Sequence, residues 1–343
     1  MSAVFIAVDS GGTRTNVEVS APGTDFETRR FEVADSLSGV LPPSEYAATI
    51  RRIFAPIENY WQEHDVPDMP VYAFFGAAGF AEPTRGAFLE TLHDALADYL
   101  NSNIRAAGAC NDTAALLWGH RANGAIVAGT GSNVLVRTAD GAVHQAGGHD
   151  WVASDYGSGF WVALNAIRQV ARDFEAGENT VLLNRFREVY GIFGNRDEEI
   201  IARFRALAVS DNQLKADIAR FAAGVCAAAE LGDLSAQNIV KGEAEDLADS
   251  VARVVRRRFS TEDLASGLTL VQCGSLLGND FYRAAFESQV RMRLSSGTEA
   301  DAITWFRTKN GIEAAMNLAQ RLAEDTSELM EAPIPYRPAI VRF

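Results

Sequence analysis

The sequence predicts an α/β protein built of two similar halves around a shared cleft, and three observations predict it. A length of 343 residues fits two domains of roughly 100–200 residues each. Strand-like apolar runs alternate with segments whose apolar residues recur at helical spacing. A hairpin pattern at the N-terminus returns at residues 125–136, an internal repeat at domain rather than solenoid spacing.

Residues 5–8 are a short apolar run, Gly11 and Gly12 follow, and residues 15–19 alternate in strand fashion. That reads as a hairpin with a Gly-rich turn. Residues 44–64 carry Tyr46, Ile50, Ile53, Phe54, Ile57, Tyr60 and Trp61 at helical spacing. Residues 71–75 read as a buried strand ending in Gly76-Ala77-Ala78-Gly79, and residues 84–100 as a second helix. Residues 104–110 form the next strand, ending at Asn111-Asp112. A helix starts over residues 113–120, with Asp112 at or near its N-cap.

Residues 125–128, the turn Gly129-Thr130-Gly131-Ser132 and the run Asn133-Val134-Leu135-Val136 then repeat the opening hairpin, whose Asn16-Val17-Glu18-Val19 holds the equivalent place. Two hairpins that resemble each other by chance are the other reading of this feature. Residues 160–260 are mainly helical and Ala-rich. One more strand, residues 268–273, leads into Gly274-Ser275-Leu276-Leu277-Gly278. A late strand over residues 303–306, a closing helix over residues 312–322 and an extended Pro-rich tail complete the chain.

Composition narrows the function. Apolar residues make up 48% and charged residues 22%, the balance of an ordinary globular protein. No apolar run approaches the roughly 18 residues of a membrane span, and the first residues enter a strand pattern without a signal-peptide layout. Cys110, Cys226 and Cys273 are scattered, without a CxxC pair. That fits a reducing cytoplasm and argues against disulfides, zinc or an iron–sulfur cluster. A net charge of −14 repels nucleic acid, and Arg256-Arg257-Arg258 sits among acidic residues as a solvated helix face. His64, His93, His120 and His144 lack metal-ligand spacing, and Trp118 reads as core.

The chain has neither a GxxxxGK[ST] loop nor a strand–GxGxxG–helix unit, so nucleotide binding would need another device. Gly-rich turns are one, because successive backbone N–H groups form an anion-binding concavity. In Asp9-Ser10-Gly11-Gly12-Thr13, Gly11 and Gly12 make the turn and Thr13 offers a hydroxyl and an N–H to phosphate. Asp9 ends a buried strand, where a carboxylate needs a partner and a hydrated Mg²⁺ is a suitable one. A plain type I′ turn with an Asp cap is the alternative. Gly129, Thr130, Gly131 and Ser132 form a second such turn, and Gly274 and Ser275 mark a third, suited to adenine or ribose. Phosphoryl transfer to a hydroxyl also needs a base, and Asp112 is the candidate, with a simple helix cap as its other reading.

With those residues in order, the sequence resembles the N-acetylglucosamine kinase group of the BadF/BadG/BcrA/BcrD ATPase family, in the superfamily of sugar kinases, Hsp70 and actin. Residues 8–15 resemble its first phosphate motif, residues 111–115 its catalytic-base segment, residues 129–133 its second phosphate motif and residues 273–275 its adenosine motif. Gly147, Gly148 and His149, then Asp155-Tyr156-Gly157-Ser158-Gly159 with Trp161, resemble its sugar-contacting segment.

The resemblance implies two RNase H-like (actin-like ATPase) domains around a nucleotide cleft, the second with extra helices. The expected boundaries are 1–111, 112–311 with a helical insertion, and a closing helix and tail over 312–343 that returns to the first domain. It further implies a kinase using ATP and Mg²⁺, with Asp9 on the metal. Asp112 would be the base, and Gly147, Gly148 and Asp155 would hold a sugar. The acceptor would be O6 of an amino sugar such as N-acetylglucosamine or glucosamine, and the assembly a homodimer. A partner-driving ATPase of the dehydratase-activator type and a non-catalytic sugar sensor are the alternatives. Three residues depart from the family pattern, all on the acceptor side: Val40 where it has Asn, His149 where it has Trp, and Tyr156 where it has Glu. His149 could hydrogen-bond a substrate or be a loop residue with no role.

Overall fold

The computed structural model describes residues 2–12, 14–37, 43–63, 68–81, 85–97, 103–193, 197–209, 214–294, 303–324, 326–331 and 336–343. Thr13, Val40 and His64 lie outside the described residues.

Strand β1 (Val4–Ser10) turns through Gly11 and Gly12 into β2 (Thr15–Ser20), and β3 (Arg29–Val33) follows. Helix α1 (Pro43–Glu63), β4 (Val71–Ala77), α2 (Arg85–Ala97) and β5 (Ile104–Cys110) complete the first run of elements. Helix α3 (Asp112–Gly119) leads to the second hairpin, β6 (Gly124–Ala128) and β7 (Ser132–Arg137), and then to β8 (Val143–Gly147). A helical stretch comes next: α4 (Gly159–Glu175), α5 (Val181–Tyr190), α6 (Asp197–Val209), α7 (Leu214–Ala219), α8 (Ala222–Glu230), α9 (Leu234–Arg258) and α10 (Thr261–Ala265). The chain ends with β9 (Leu268–Cys273), α11 (Asp280–Leu294), β10 (Ile303–Arg307), α12 (Ile312–Ala323), α13 (Ser327–Glu331) and β11 (Ala339–Arg342).

The two sheets share one plan. The first runs β11-β5-β4-β1-β2-β3 and the second β10-β9-β6-β7-β8. In each, the Gly-turn hairpin is antiparallel and its first strand also pairs in parallel with a later strand, β4 for β1 and β9 for β6. The predicted repeat is therefore real, and its register is informative. Asn16 stands opposite Asp9, whereas Asn133 stands opposite Val127. The second half is larger because α4 to α10 are inserted between β8 and β9.

Helix α12 lies across β1, β4 and β5 and also against α3, which in turn touches β4, β6 and β7. These two helices form the seam between the halves. Gly119 makes the fit possible, since a Cβ there would stand 2.5 Å from the Ala314 carbonyl oxygen. Residues of both sheets share this core: Ala7, Phe74 and Cys110 from the first, Ala125, Leu135 and Val271 from the second. Every residue of β4 is buried, the continuous apolar run expected of a parallel strand covered on both faces. Trp118 is core, at 2% exposure. Strand β11 has no counterpart in the sequence reading. It adds to the first sheet antiparallel to β5, three residues beyond Tyr336, whose φ of 74° departs from an extended tail.

Candidate active site

The C-terminal ends of the parallel strands converge, which is where open α/β sheets take ligands. Asp9 near the end of β1 registers with Gly76 on β4, and Gly76 registers with Cys110 on β5. The chain then passes through Asn111 into α3. Asn111 is the N-cap of that helix, its side-chain oxygen accepting from the Thr113 N–H at 3.1 Å. Asp112 is consequently the first helical residue rather than the cap. Gly76 leaves room for this turn: a Cβ there would meet the Ala115 Cβ at 3.1 Å and the Asp112 Cα at 3.6 Å.

Asp9 and Asp112 form an acid pair. The Gly311 N–H, at the N-terminus of α12, donates to Asp9 Oδ2 at 2.9 Å, and the Asn16 side chain is a second partner. Burial nevertheless pushes the Asp9 carboxyl up from its ordinary value. Asp112 Oδ1 accepts from the Thr113 N–H at 2.7 Å and from the Thr113 hydroxyl at 3.3 Å. Burial and, next, the charge of Asp9 raise Asp112 to about 6. Cys273, at the end of β9 in the second sheet, is pushed up by its own burial and then by the charges of both acids. The acid pair thus stands where the two sheets face each other.

The first Gly turn is closed by the Gly11 N–H donating to the Arg14 carbonyl at 3.0 Å, and the Gly11 carbonyl accepts from the Ser36 hydroxyl. The Leu37 N–H donates to Ser10 Oγ at 2.7 Å, and Thr15 Oγ1 donates to the Asp35 carbonyl at 2.7 Å, so residues 35–37 are tied over this turn. The second turn rests on the start of α4. The Gly159 N–H donates to the Gly129 carbonyl at 2.7 Å and the Phe160 N–H to the Thr130 carbonyl at 3.2 Å. The Ser132 hydroxyl donates to the Tyr156 carbonyl at 2.8 Å, so it braces the neighbouring loop. A Cβ added at Gly12 or Gly129 meets nothing within 4 Å. Both turns therefore border open space, as phosphate-binding turns must.

Gly274 joins the third turn to the second. It has φ of 108°, and a Cβ would sit 2.4 Å from the Ala128 carbonyl oxygen, which itself accepts from the Leu276 N–H at 3.1 Å. Gly274→Ala is expected to cost about 2 kcal/mol of stability through overpacking and left-handed strain, measured by denaturant unfolding. It should also weaken nucleotide binding. A variant with wild-type stability and nucleotide affinity would remove Gly274 from the site. Ser275 is exposed.

On the acceptor side, Gly147 and Gly148 have φ of 78° and 68°. His149 is exposed, and its N–H donates to Ser154 Oγ at 2.8 Å. Asp155 is buried and has φ of 59°. Its Oδ2 accepts from Lys215 Nζ at 2.6 Å, and the same ammonium reaches Asp150 Oδ1 at 2.7 Å. A Cβ at Gly131 would lie 2.9 Å from Asp155 Oδ2 and 3.2 Å from Lys215 Nζ. Asp155 therefore abuts the second Gly turn as one arm of an ion triad. Behind it, Glu243 of α9 accepts from the Gly157 N–H at 3.1 Å and from Asn165 Nδ2 at 2.6 Å.

Sequence reasoning missed Gly311, Thr113, Lys215 and Glu243. The dipeptide Asn310-Gly311 before the closing helix was a readable helix start, but its carboxylate partner lies 302 positions away. Asn16 and Asn133 were marked by the repeat without a role.

The model of the BadF/BadG/BcrA/BcrD ATPase family matches residues 6–302. No curated protein matches the chain. Among solved structures, a candidate N-acetylglucosamine kinase from Chromobacterium violaceum has a TM-score of 0.63 at 20% identity, over 92% of this chain and 99% of that one. A second candidate N-acetylglucosamine kinase, from Porphyromonas gingivalis, has a TM-score of 0.64 at 16% identity, over 94% and 99%. A ROK family glucokinase from Streptomyces griseus, in complex with glucose and AMPPNP, has a TM-score of 0.55 at 17% identity, over 93% and 99%. At these identities the likeness is one of fold, the two-domain actin-like ATPase fold.

Proposed function

The chain belongs to the BadF/BadG/BcrA/BcrD ATPase family, and on that premise we propose that it is an ATP-dependent kinase acting on a sugar hydroxyl. The observation that carries the reading is the placing of Asp112. Its carboxyl, raised to about 6 by burial and by Asp9, follows the end of β5, and the two Gly turns that flank it in sequence border open space. A general base works best when its pKa lies near the working pH. An amino sugar such as N-acetylglucosamine or glucosamine, phosphorylated at O6, is the acceptor we favour from the motifs at 147–159.

In this reading Asp112 takes the proton of the acceptor hydroxyl. The oxygen then bonds to the γ-phosphorus of ATP as the bond from that phosphorus to the bridging oxygen breaks and ADP leaves. The Gly12 and Gly131 N–H groups would meet the phosphates, while the Gly11 and Gly129 N–H groups close their own turns onto the Arg14 and Gly131 carbonyls. Gly274 keeps the third turn within reach of the second. Two carboxylates sharing unneutralised charge suit a divalent cation, and Asp9 would be its protein ligand. Among the described residues no group of three His, Cys, Asp or Glu could hold a metal alone. That fits an ion carried mainly by phosphate and water, the usual habit of Mg²⁺, which when bound neutralises developing phosphate charge. Residues 35–37 and the triad of Asp150, Asp155 and Lys215 bring the acceptor-side loops to the two Gly turns, which would exclude water from the transfer.

A partner-driving ATPase of the activator type would use thiols at an interface, but Cys110, Cys226 and Cys273 are all buried. Among the described residues no helix is long and apolar enough to cross a membrane. The test is ADP release against amino sugars, hexoses and a no-sugar control. Release should depend on one sugar and vanish in Asp112→Asn. Sugar-independent release that survives this substitution would sink the kinase reading, and no release with nucleotide still bound would favour a sensor.

A further inference from the structure

The hairpin repeat puts Asn16 and Asn133 in equivalent places, and the two residues serve different acids. Asn16 faces Asp9 across β1 and β2 and hydrogen-bonds its carboxylate directly. Opposite Asn133 stands Val127, which offers nothing polar. Asn133 reaches across the seam instead, and its Nδ2 donates to Thr113 Oγ1 at 3.2 Å. The Thr113 hydroxyl donates onward to Asp112 Oδ1 at 3.3 Å. On the other side, Gln145 Nε2 donates to Asn133 Oδ1 at 3.1 Å, and the Tyr336 hydroxyl donates to Gln145 Oε1.

Four donations therefore run one way, from the C-terminal tail through β8, β7 and α3 to Asp112. Their direction follows from chemistry, because an ionised carboxylate can only accept. Once Thr113 donates to Asp112, its oxygen must accept from an amide N–H₂, and each amide behind it is oriented in turn. The backbone makes room for the chain. At Gly148 a Cβ would come within 2.5 Å of Asn133 Oδ1 and 2.6 Å of Gln145 Nε2. The source end is also held: the Tyr336 carbonyl accepts from Trp118 Nε1 at 3.0 Å, and Arg85 donates to the Arg337 and Pro338 carbonyls at 2.9 and 3.1 Å.

We propose that Tyr336, Gln145, Asn133 and Thr113 are positioning residues, a hydrogen-bond relay that fixes the Asp112 carboxylate for proton transfer and makes the C-terminal tail part of the active-site framework. Both Thr113 donors fall on Oδ1, which assigns Oδ2 to the acceptor proton. The inference rests on the reading of Asp112 as the base. It also explains Gly148, since a residue without a side chain there keeps the amide pair unobstructed.

The test is steady-state ADP release from Mg-ATP, with whichever of N-acetylglucosamine, glucosamine, glucose or water supports the highest wild-type rate. Four variants are compared: Thr113→Val, Thr113→Ser, Tyr336→Phe and Asp112→Asn. Misaligning a base without removing it lowers kcat and leaves substrate binding alone. Thr113→Val should lose about tenfold in kcat with an unchanged KM for ATP, and Tyr336→Phe about threefold. Thr113→Ser keeps the hydroxyl and should recover most of the loss. Wild-type kcat in Thr113→Val and Tyr336→Phe, beside an inactive Asp112→Asn, would overturn the relay and leave the base reading standing. Equal damage in Thr113→Ser and Thr113→Val, or losses carried by KM, would make the chain merely structural. An active Asp112→Asn would remove the base and the relay together.

Discussion

Asp112→Asn is expected to lower kcat by about 10³-fold, inside the 10²–10⁴ range of a positioned general base, and to stabilise the ligand-free protein at pH 8. The substitution is nearly isosteric. Its amide oxygen can still accept from the Thr113 N–H, which now reaches Asp112 Oδ1 at 2.7 Å, so α3 should start as before. What changes is charge. Burial first and Asp9 second raise the Asp112 carboxyl from 3.8 to about 6 in the folded state. An acid whose folded pKa lies above its unfolded one contributes stability that is whole below the unfolded value and lost as the pH rises through the folded value. Between about pH 4 and 6 the folded protein therefore loses stability, and at pH 8 the ionised group costs about 3 kcal/mol. The neutral amide removes that cost. The wild-type kcat/KM should fall below about pH 6 as Asp112 takes up a proton, and the residual activity of the variant should lack this acid limb. A variant within a few-fold of the wild-type rate, or one destabilised at pH 8, would remove Asp112 from the role. Loss of activity joined to a gain in stability is the mark of a functional charge held against its own solvation.

The hairpins were legible in the sequence because their signals are local. Alternation of apolar residues and a Gly turn specify a hairpin wherever it sits, and the echo of Asn16 in Asn133 then specified two sheets of one plan. Asp9 and Asp112 were legible as acids at strand ends. Choosing between Asn111 and Asp112 as the helix cap was not, since both residue types cap equally well and only the backbone dihedrals of Asn111 decide. Gly311, Lys215 and Tyr336 were not legible either, because each acts on a residue far off in the chain: Asp9, Asp155 and Gln145. Strand β11 has only four residues after a Pro-rich stretch, too few for alternation to show, and it exists because the edge of β5 is open to pairing. Glycines expected at the phosphates prove to have packing roles as well. Gly274 touches the Ala128 carbonyl and Gly131 touches Asp155, contacts that only a folded chain defines.

Glu243 carries the second large expectation: the wild-type protein should lose about 3 kcal/mol of stability between pH 4.5 and pH 7 through this side chain, and Glu243→Gln should abolish the loss. Glu243 is 6% exposed on α9, and its oxygens accept from the Gly157 N–H and from Asn165 Nδ2. Those two donors lower its pKa, but burial and then the charge of Asp246 outweigh them and bring it up to about 7 from 4.5. The unfolded chain releases this proton near 4.5 and the folded one near 7, so between those values folding must retain a proton that the unfolded state has lost. Stability is full below 4.5 and declines until the folded group has ionised. In Glu243→Gln the amide oxygen can keep the Gly157 N–H, and the Asn165 amide can turn to accept from the new N–H₂. Urea unfolding of both proteins at pH 5 and pH 8 decides the matter. The difference between them should be small at pH 5 and favour the variant by about 3 kcal/mol at pH 8. A variant less stable at both values would show that the carboxylate is needed ionised. The position explains why such a group is kept. Gly157 has φ of 74°, its carbonyl accepts from the Tyr282 hydroxyl at 2.6 Å, and its N–H is held by Glu243, so the turn between buried Asp155 and α4 is clamped on both backbone groups. An apolar residue at 243 would leave the Gly157 N–H buried and unpaired. Glu243 therefore holds the acceptor-side loop against α9 at a cost in stability that rises with pH.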